Sequence, residues 1–382
     1  MSRIGIVANE VSGDQLAASL IHALKAKRPE LRFEGMTGPA MEAEGCKSLA
    51  RMDPVMGLVE VLKHLPGLLS LRRRLFHHFQ TDPPDLFLGV DAPDFNLALE
   101  TRLKAEGIRT AHFVSPTVWA WRQKRVKKLR RAVDLMLCIF PFEVDFLQRN
   151  SVTASYVGHP LADEIPLEST APEGIRSELG LDPDRPVIAI LPGSRMSELG
   201  MLSAPFLQTA IWCLQRHPEL QFVAPMVNAK IRTAFSEQMV EVAPDLPIIL
   251  LDGEARMAIQ AADVVLTASG TATLETLLLK RPMVVGYRLA ALTYWLVKTF
   301  NLVKIPHMAM ANLIAEERLA PEFLQGEVRP EALGQALLDF LESPARRAGV
   351  VARYRQLHEG LRCDAANRAA DAVLALIDQK EF

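Results

Sequence analysis

The sequence predicts an α/β protein built of two parallel-sheet domains that face one another, and three observations support this. Short apolar, β-branched runs alternate along the chain with stretches of helical periodicity, a pattern typical of βαβ units. The runs fall into two groups, separated by residues 161–186, which are rich in Pro, Asp and Glu and indicate a linker. The chain has 382 residues, whereas one domain usually holds ~100–200.

The elements follow from these patterns in chain order. The first group contains predicted strands at 4–8, 86–90, 110–114 and 135–139, with predicted helices at 15–27 and 95–106. The second group contains predicted strands at 187–191, 222–225, 248–251, 264–267 and 283–287. From residue 330 onward we find no strand pattern and expect helices, including one at 364–379. The expected domains are residues 1–165 and 166–345, followed by C-terminal helices at 346–382.

Composition excludes several classes of protein. With 49% hydrophobic and 23% charged residues, and 43 basic against 45 acidic side chains, the chain is neither disordered nor a generally basic nucleic-acid binder. We therefore expect no nucleic-acid partner. The four cysteines are scattered, and residues 1–3 lead directly into an apolar run without a signal-peptide pattern. We expect a reduced, cytoplasmic protein. The nine histidines are dispersed, and no metal site is predicted.

One apolar segment suggests a membrane surface. No run reaches the ~18 apolar residues that a spanning helix needs. Residues 55–71 are strongly apolar, but Glu60 and Lys63 interrupt them and three arginines follow. Such a segment could lie on a membrane, with Pro66 kinking or ending its helix. Core burial explains the pattern equally well. The apolar candidates for lipid contact are Leu62, Leu65, Leu68 and Leu69.

A basic run indicates a second contact with anions. Residues 122–131 carry seven positive charges and no acid. On a helix, the lysines would lie opposite Val126 and Leu129. A solvated face is one explanation, but neighbouring indoles favour an interface with lipid or with a substrate phosphate. The candidates are Trp119, Trp121, Arg122 and Arg125.

Polar residues follow the predicted strands, where ligands of parallel sheets bind. In the first domain, sugar chemistry would need a carboxylate at a strand end to accept a hydroxyl proton. Asp91, Asp94 and Glu10 qualify by position, and Asp91 is favoured because it directly follows its strand. Helix capping is the alternative for both aspartates, and it is favoured for Asp94. Ser12, close to Glu10, belongs to the same candidate region.

The second domain presents a candidate diphosphate site. Ser269, Gly270 and Thr271 open a helix directly after a strand, where backbone N–H groups and the helix dipole favour an anion. Glu275, one turn further, could accept the two hydroxyls of a ribose. Arg195, after Ser194 at another strand end, offers donors suited to phosphate. The alternatives are N-capping at the helix and an ion pair of Arg195 with Glu198.

Nine short strings stand out along almost the whole chain: SGD at 12–14, VMGLVEVL at 55–62, DAPDFN at 91–96, VSPTVWAWR at 114–122, PFE at 141–143, VGHPL at 157–161, LPGSR at 191–195, ASGT at 268–271 and PMVVGYR at 282–288. Taken together, and in this order, they resemble the lipid-A-disaccharide synthase family. One departure is Asn9, where the family usually has Gly before the Glu.

The resemblance implies a GT-B fold: two Rossmann-like domains across a cleft, with a C-terminal helix that crosses back to the first. It implies transfer, with inversion, from UDP-2,3-diacylglucosamine to 2,3-diacylglucosamine 1-phosphate, giving a β-1,6-linked disaccharide and UDP. Asp91 would be the general base, with Glu10 nearby. The implied UDP contacts are Arg195, the 269–271 turn, Glu275 and Asn312.

The resemblance further implies no cofactor, since the UDP-sugar is a substrate, and no metal. The protein would be peripheral on the cytoplasmic side of the inner membrane, in contact with an anionic membrane surface, and a homodimer is possible. Two alternatives stay open. One is an epimerase of the same fold that acts on UDP-N-acetylglucosamine, and the other is a non-enzymatic protein of the membrane surface that binds nucleotide.

Overall fold

The computed structural model describes residues 2–52, 58–120, 125–290, 294 and 306–379, with the backbone alone at 58–65. The chain divides into two compact units. The first comprises Met1–Asp163 together with Leu361–Phe382, and the second comprises Glu164–Gly360. Each unit contains one parallel sheet, so the predicted α/β class with two parallel-sheet domains is confirmed.

The first unit contains a seven-stranded parallel sheet in the order β3-β2-β1-β4-β5-β6-β7. Its strands are β1 Arg3–Ala8, β2 Arg32–Thr37, β3 Lys47–Arg51, β4 Leu86–Val90, β5 Thr110–Phe113, β6 Leu135–Cys138 and β7 Ala154–Tyr156. Its helices up to the linker are α1 Val11–Lys27, α2 Pro39–Ala43, α3 Leu58–Thr81, α4 Pro93–Ala105, α5 Val126–Ala132, α6 Pro141–Arg149 and α7 Pro160–Glu164, whose last residue begins the second unit.

The second unit contains a six-stranded parallel sheet in the order β10-β9-β8-β11-β12-β13. Its strands are β8 Val187–Leu191, β9 Gln221–Met226, β10 Ile248–Asp252, β11 Val264–Ala268, β12 Met283–Tyr287 and β13 Glu322–Leu324. Its helices are α8 Pro172–Glu178, α9 Met196–Leu214, α10 Ala229–Val242, α11 Ala255–Ala261, α12 Thr271–Leu278, α13 Met310–Ala315, α14 Pro330–Leu341 and α15 Pro344–Leu361.

The final helix, α16 Ala365–Asp378, belongs to the first unit. Its Ala369, Ala370 and Val373 are fully buried in the core that also contains the inner faces of β1 and α1. At its end, the Arg109 guanidinium donates hydrogen bonds to the carbonyl oxygens of Leu376 and Ile377 at 3.0 and 2.9 Å. Charge and packing therefore both fix this helix against the first sheet.

The C-terminal helices divide differently from the expected boundary at residue 346. Helix α15 groups with the second unit except for its last residue, Leu361, and α16 groups with the first. Three arginines of α15 pair with acids of the second unit: Arg346 with Asp339, Arg353 with Glu317 and Arg355 with Glu168. The boundary between the first and second units, at residues 163 and 164, lies inside the predicted linker. This linker also contains helix α8.

All nine predicted strands are present, and the described residues form four more strands with weaker sequence signals. In β2, the buried Glu34 and Gly35 interrupt the apolar pattern. A Cβ at Gly35 would lie 1.7 Å from the carbonyl oxygen of Ile6, so the neighbouring strand requires glycine there. Strands β3, β7 and β13 are short, and all of their residues are half-buried or exposed.

Helix α3 does not end at Pro66, as the sequence suggested it could, but continues to Thr81. Pro66 and Gly67 lie on an exposed stretch, where water can satisfy a backbone group that proline leaves without a partner. Over the part of the chain that is described, none of the helices combines the length and hydropathy required for crossing a bilayer.

Candidate active site

Backbone strain marks two neighbouring strand ends of the first unit. Directly after β4, Asp91 and Ala92 have φ angles of 52° and 42°, in the left-handed region. Directly after β5, which pairs with β4, Val114 has a φ of 77°. L-residues adopt this region at a cost of ~1–2 kcal/mol each, and a β-branched residue is rare there. Strain of this kind persists where surrounding structure enforces it, commonly at functional sites.

The backbone of Asp91 is fixed from two sides. Its N–H donates to the carbonyl oxygen of Phe113 at 2.9 Å. Its own carbonyl oxygen accepts a hydrogen bond from Nδ2 of the buried Asn96 at 2.8 Å. The Cβ of Asp91 lies 3.8 Å from the position that a Cβ on Gly13 would occupy, so the start of α1 adjoins it. The half-buried carboxylate is therefore presented at the strand end by a rigid frame.

Glu10, the residue before α1, belongs to the same edge. Partial burial raises the pKa of its carboxyl, and the nearby charge of Asp91 raises this pKa further. A carboxyl group whose pKa is raised holds a proton more readily than an ordinary one, which suits Glu10 to a site of proton transfer. Asp91 and Glu10 thus lie within electrostatic range of each other, Ser12 is exposed in the first turn of α1, and the catalytic roles of the two carboxylates stay predictions.

Asp94 has different surroundings from Asp91. Its side chain is fully exposed, and its Oδ1 lies 4.0 Å from Nη1 of Arg125. It lies in the first turn of α4 but makes no side-chain cap there among the described contacts. Of the two aspartates, Asp91 is therefore the one in a defined environment.

A cleft of about 720 Å³ opens beside Asp91 within the first unit. It combines carboxylate, cationic and apolar walls, a combination suited to an amphipathic ligand that carries a negative charge. Its acidic residues are Asp91 and Asp94; its basic ones are Arg125, Lys128 and Arg131; and its apolar ones include Leu97, Ala98, Val114, Val118 and Leu129.

The described part of the basic run forms an amphipathic helix over Val126–Ala132, as the sequence predicted. In α5, Val126, Leu129 and Ala132 are buried. The exposed side is cationic, formed by Lys127, Lys128, Arg130 and Arg131. Lys124 and two of the predicted anion contacts, Trp121 and Arg122, lie outside the described residues.

Trp119 is engaged within the first unit. Its Nε1 donates to Oε1 of Glu143 at 3.1 Å, and its ring meets the ring of Phe142 edge to face at 4.8 Å. Burial raises the pKa of Glu143 to about 8, although the N–H donors of Phe140 and Trp119 act in the opposite direction. An interfacial role for Trp119 gains no support from this packing.

The apolar segment of α3 divides into core and surface. Leu68 and Leu71 are half-buried against the cluster that contains Leu75 and Phe79. Leu69, in contrast, is 39% exposed. The side chains of Leu62 and Leu65 lie outside the described residues. Core burial and surface exposure, the two alternatives left open by the sequence, therefore both occur within this helix.

The second unit presents an open helix start after β11. Gly270 is the N-cap of α12 with a φ of 117°, and no side chain caps the helix among the described residues. Capping by Ser269 or Thr271, the alternative from sequence, is thus not observed. Gly270 and Thr271 are exposed, and a Cβ at Gly270 would meet nothing within 4 Å. The first turn of α12 is accessible to an anion, which the helix dipole favours.

Arg195 occupies the corresponding place after β8. It is the N-cap of α9, and its side chain is 77% exposed. The predicted alternative, an ion pair with Glu198, is present only as a long contact of 3.7 Å, while Glu198 also accepts a hydrogen bond from the Ser194 N–H at 3.1 Å. The guanidinium therefore remains largely available to phosphate oxygens.

Two predicted UDP contacts are already engaged. Glu275 accepts a hydrogen bond from Nε of Arg256 at 2.9 Å, a partner for which the sequence offers no signal because the two residues lie on different helices. Asn312 is fully buried. Its Nδ2 donates to the Ala320 carbonyl and to Glu322, and its Oδ1 accepts from the Ala320 N–H. Asn312 thus links α13 to β13, and a contact with UDP stays a prediction.

Solved structures resemble this chain over its whole length. A putative UDP-N-acetylglucosamine 2-epimerase from Listeria monocytogenes matches with a TM-score of 0.66 and 14% identity, covering 100% of this chain and 97% of its own. The glycotransferase of kitacinnamycin matches with a TM-score of 0.62 and 17% identity, covering 98% of each. At these identities the likeness shows the fold alone, and it confirms the GT-B class.

Sequence comparison is more specific. The family described as lipid-A-disaccharide synthetase matches residues 4–376. Lipid-A-disaccharide synthase of Pseudoalteromonas translucida is 49% identical over 378 residues, covering 98% of this chain and 97% of the relative. The enzyme of that name from Pseudomonas syringae pv. syringae is 50% identical over 376 residues, covering 98% and 97%. Together with the nine strings and the two Rossmann-like units that carry them, these matches show that the chain belongs to the lipid-A-disaccharide synthase family, a family of glycosyltransferases.

Proposed function

We propose that the protein joins UDP-2,3-diacylglucosamine to 2,3-diacylglucosamine 1-phosphate with inversion, forming the β-1,6-linked disaccharide 1-phosphate and releasing UDP. The observation that carries this proposal is the Asp91 carboxylate, which is held at the end of β4 in a left-handed turn beside Glu10. The family to which the chain belongs supports the reaction class.

Asp91 is the general base in this proposal. Its carboxylate accepts the proton of the acceptor 6-hydroxyl as that oxygen attacks C1 of the donor sugar. The bond from C1 to the UDP oxygen breaks on the opposite face, so the configuration at C1 inverts. Glu10, whose pKa is raised by partial burial and by the charge of Asp91, is the second carboxyl group near the base.

The leaving UDP is bound by the second unit. The uncapped start of α12 and the exposed Arg195 guanidinium supply N–H donors and positive charge to the diphosphate. The proposal needs no metal and no cofactor, because these groups stabilise the developing negative charge. Glu275 shares its carboxylate between Arg256 and the ribose.

The acceptor is amphipathic, and the cleft beside Asp91 has matching chemistry. Its basic residues Arg125, Lys128 and Arg131 suit a phosphate, and its apolar wall suits acyl chains. We extend the proposal to peripheral attachment at an anionic membrane surface through the exposed side of α5 and the exposed Leu69 of α3. A homodimer remains a prediction.

The test is a turnover assay on purified protein with UDP release as its readout. Release should require both diacylated sugars and should fall ~10²- to 10⁴-fold in Asp91→Asn. Asp94→Asn is the matched control, and it should lose far less because its side chain is solvent-exposed. UDP release without acceptor, or equal losses in the two variants, would contradict the assignment.

A further inference from the structure

Three fully buried polar side chains lie beneath the strand end that carries Asp91. Asn96 and Glu100 are one turn apart on α4, and His112 lies on β5. All three are 0% exposed. Nδ1 of His112 lies 2.7 Å from Oε1 of Glu100. The mechanism proposed above uses none of these three side chains as a chemical group.

These side chains converge on Gly89, the cross-strand partner of His112 in the β4–β5 pair. A Cβ at Gly89 would lie 2.1 Å from Oε1 of Glu100, 2.9 Å from Cβ of Asn96 and 3.0 Å from Nδ1 of His112. Glycine is therefore required at position 89, two residues before Asp91, because the polar cluster occupies the space that a side chain would need.

As part of a protein core, this cluster lowers the stability of the folded state. Within the described part of the chain, Oδ1 of Asn96, Oε2 of Glu100 and Nε2 of His112 have no hydrogen-bond partner. Buried polar atoms without partners cost stability, and apolar residues of similar volume would fill the same space without that cost. A polar cluster retained at such a place calls for a role other than packing.

The geometry connects the cluster to Asp91. Nδ2 of Asn96 donates to the Asp91 carbonyl oxygen at 2.8 Å, and it approaches the carbonyl oxygens of Val90 and Val7 at 3.3 Å. This contact spans the left-handed turn at Asp91 and Ala92. Asn96, Glu100 and His112 all lie within 3.0 Å of the position that a Cβ at Gly89 would occupy, so the three side chains share one space beneath the strand.

We propose that Asn96, Glu100 and His112 are positioning residues, which hold the strained Asp91 turn so that its carboxylate faces the acceptor hydroxyl. This inference rests on the proposed function, in which Asp91 is the base. Burial raises the pKa of Glu100, while His112 acts in the opposite direction. The contact of 2.7 Å between Nδ1 of His112 and Oε1 of Glu100 links α4 to β5 beneath the strand end that carries Asp91.

The first test compares two substitutions of Glu100. Glu100→Gln preserves the shape and a donor to His112, and it should retain kcat within ~3-fold. Glu100→Met preserves the volume but removes the polar contact, and it should lower kcat about 10- to 100-fold, because small displacements of catalytic groups have costs of this size. KM for both sugars should change less than ~3-fold. Asn96→Ala should behave like Glu100→Met.

A matched control separates positioning from loss of stability. Thr110 is fully buried at the other end of β5, where its hydroxyl donates to the Ala132 carbonyl at 2.7 Å. Thr110→Val should lower the unfolding temperature about as much as the test substitutions and leave kcat unchanged. Wild-type kcat in Glu100→Met and Asn96→Ala, or an equal kcat loss in Thr110→Val, would overturn the proposal.

A second readout does not depend on activity. Hydrogen–deuterium exchange at the Asp91 amide, which donates to Phe113, should be faster in Glu100→Met and Asn96→Ala than in wild type or Thr110→Val. If wild-type protein shows no turnover, the proposed function fails while this measurement still tests positioning. Unchanged exchange at Asp91 in both variants would overturn the positioning role by itself.

Discussion

Ala92 follows Asp91 with a φ of 42° and a ψ of 56°, and it is the N-cap of α4. Its side chain carries no chemistry, so the strain at this position can be released without removing the carboxylate beside it. We expect Ala92→Gly to stabilise the protein by up to ~1 kcal/mol, because glycine adopts the left-handed region freely. Urea unfolding would measure this difference.

Ala348, exposed within α15, is the matched control for Ala92→Gly. Ala348→Gly should destabilise the protein by about 1 kcal/mol, since glycine is a poor helix former. If the strain serves to aim Asp91, Ala92→Gly should also lower kcat while it raises stability. Destabilisation by Ala92→Gly, similar to that in the control, would show that the turn is not strained.

At the same scale, the sequence indicated some site residues and not others. Asp91 could be predicted because it directly follows an apolar run that forms a buried strand. The partners of Glu275 and Asn312 could not be predicted, since Arg256 and Glu322 approach them only through the packing of separate elements. Asn96 was visible within a motif, but its contact with the Asp91 carbonyl depends on a left-handed turn that composition does not encode.

Helix α12 and the start of α9 are the elements expected to bind UDP. Arg195→Ala should weaken UDP binding by ~1.5–3 kcal/mol, since it removes a charge-assisted contact. Glu275→Ala should weaken binding in the same range, and part of its effect should come from releasing Arg256. Isothermal titration calorimetry with UDP would measure both.

The control for these variants is Arg232→Ala, on α10 of the same unit, where the guanidinium pairs with Asp252 at 2.9 Å. This substitution should leave UDP affinity unchanged. If Arg195→Ala and Glu275→Ala also bind UDP like the wild type, the donor site lies elsewhere.

Helix α3 allows a sharp test of membrane attachment, because it contains an exposed leucine, Leu69, and a buried one, Leu75, six residues later. Leu69→Ser should reduce co-sedimentation with anionic vesicles and change stability by less than ~0.5 kcal/mol, since Leu69 is 39% exposed. Leu75→Ala should destabilise by ~2–5 kcal/mol, since Leu75 is 2% exposed. Undiminished vesicle binding by Leu69→Ser would argue against attachment through this surface.

Among the elements, long apolar runs were easy to predict and polar interruptions were not. Strands β4, β8 and β12 have the bounds that the sequence predicted. Strand β2 was missed because Glu34 lies in it, although the ion pair with Arg3 and the contact with His78 allow that carboxylate to be buried. The sequence suggested that Pro66 kinks or ends its helix. Helix α3 continues through Pro66, which is exposed to solvent.

For the whole molecule, the C-terminal helix α16 is part of the first unit's core although it is distant in sequence. We expect deletion of residues 362–382 to prevent stable folding of the first unit, because it removes several fully buried side chains. Arg109→Ala is the milder variant. It removes the hydrogen bonds to the Leu376 and Ile377 carbonyls and should cost ~1–3 kcal/mol.

Chemical denaturation, followed by circular dichroism, would measure both C-terminal changes. The second unit offers an internal reference, since UDP binding there should survive Arg109→Ala. Unchanged stability after the deletion would mean that α16 contributes little to the first unit, contrary to its buried alanines and valine.

The identity of the product tests the central claim most directly. Purified protein would be incubated with UDP-2,3-diacylglucosamine and 2,3-diacylglucosamine 1-phosphate, and the product examined by mass spectrometry and by the proton coupling at its new anomeric centre. The account predicts a β-1,6-linked disaccharide 1-phosphate formed in equal amount to UDP. An α-linked product would contradict inversion, and epimerised UDP-N-acetylglucosamine with no disaccharide from the diacylated pair would contradict the proposed function itself.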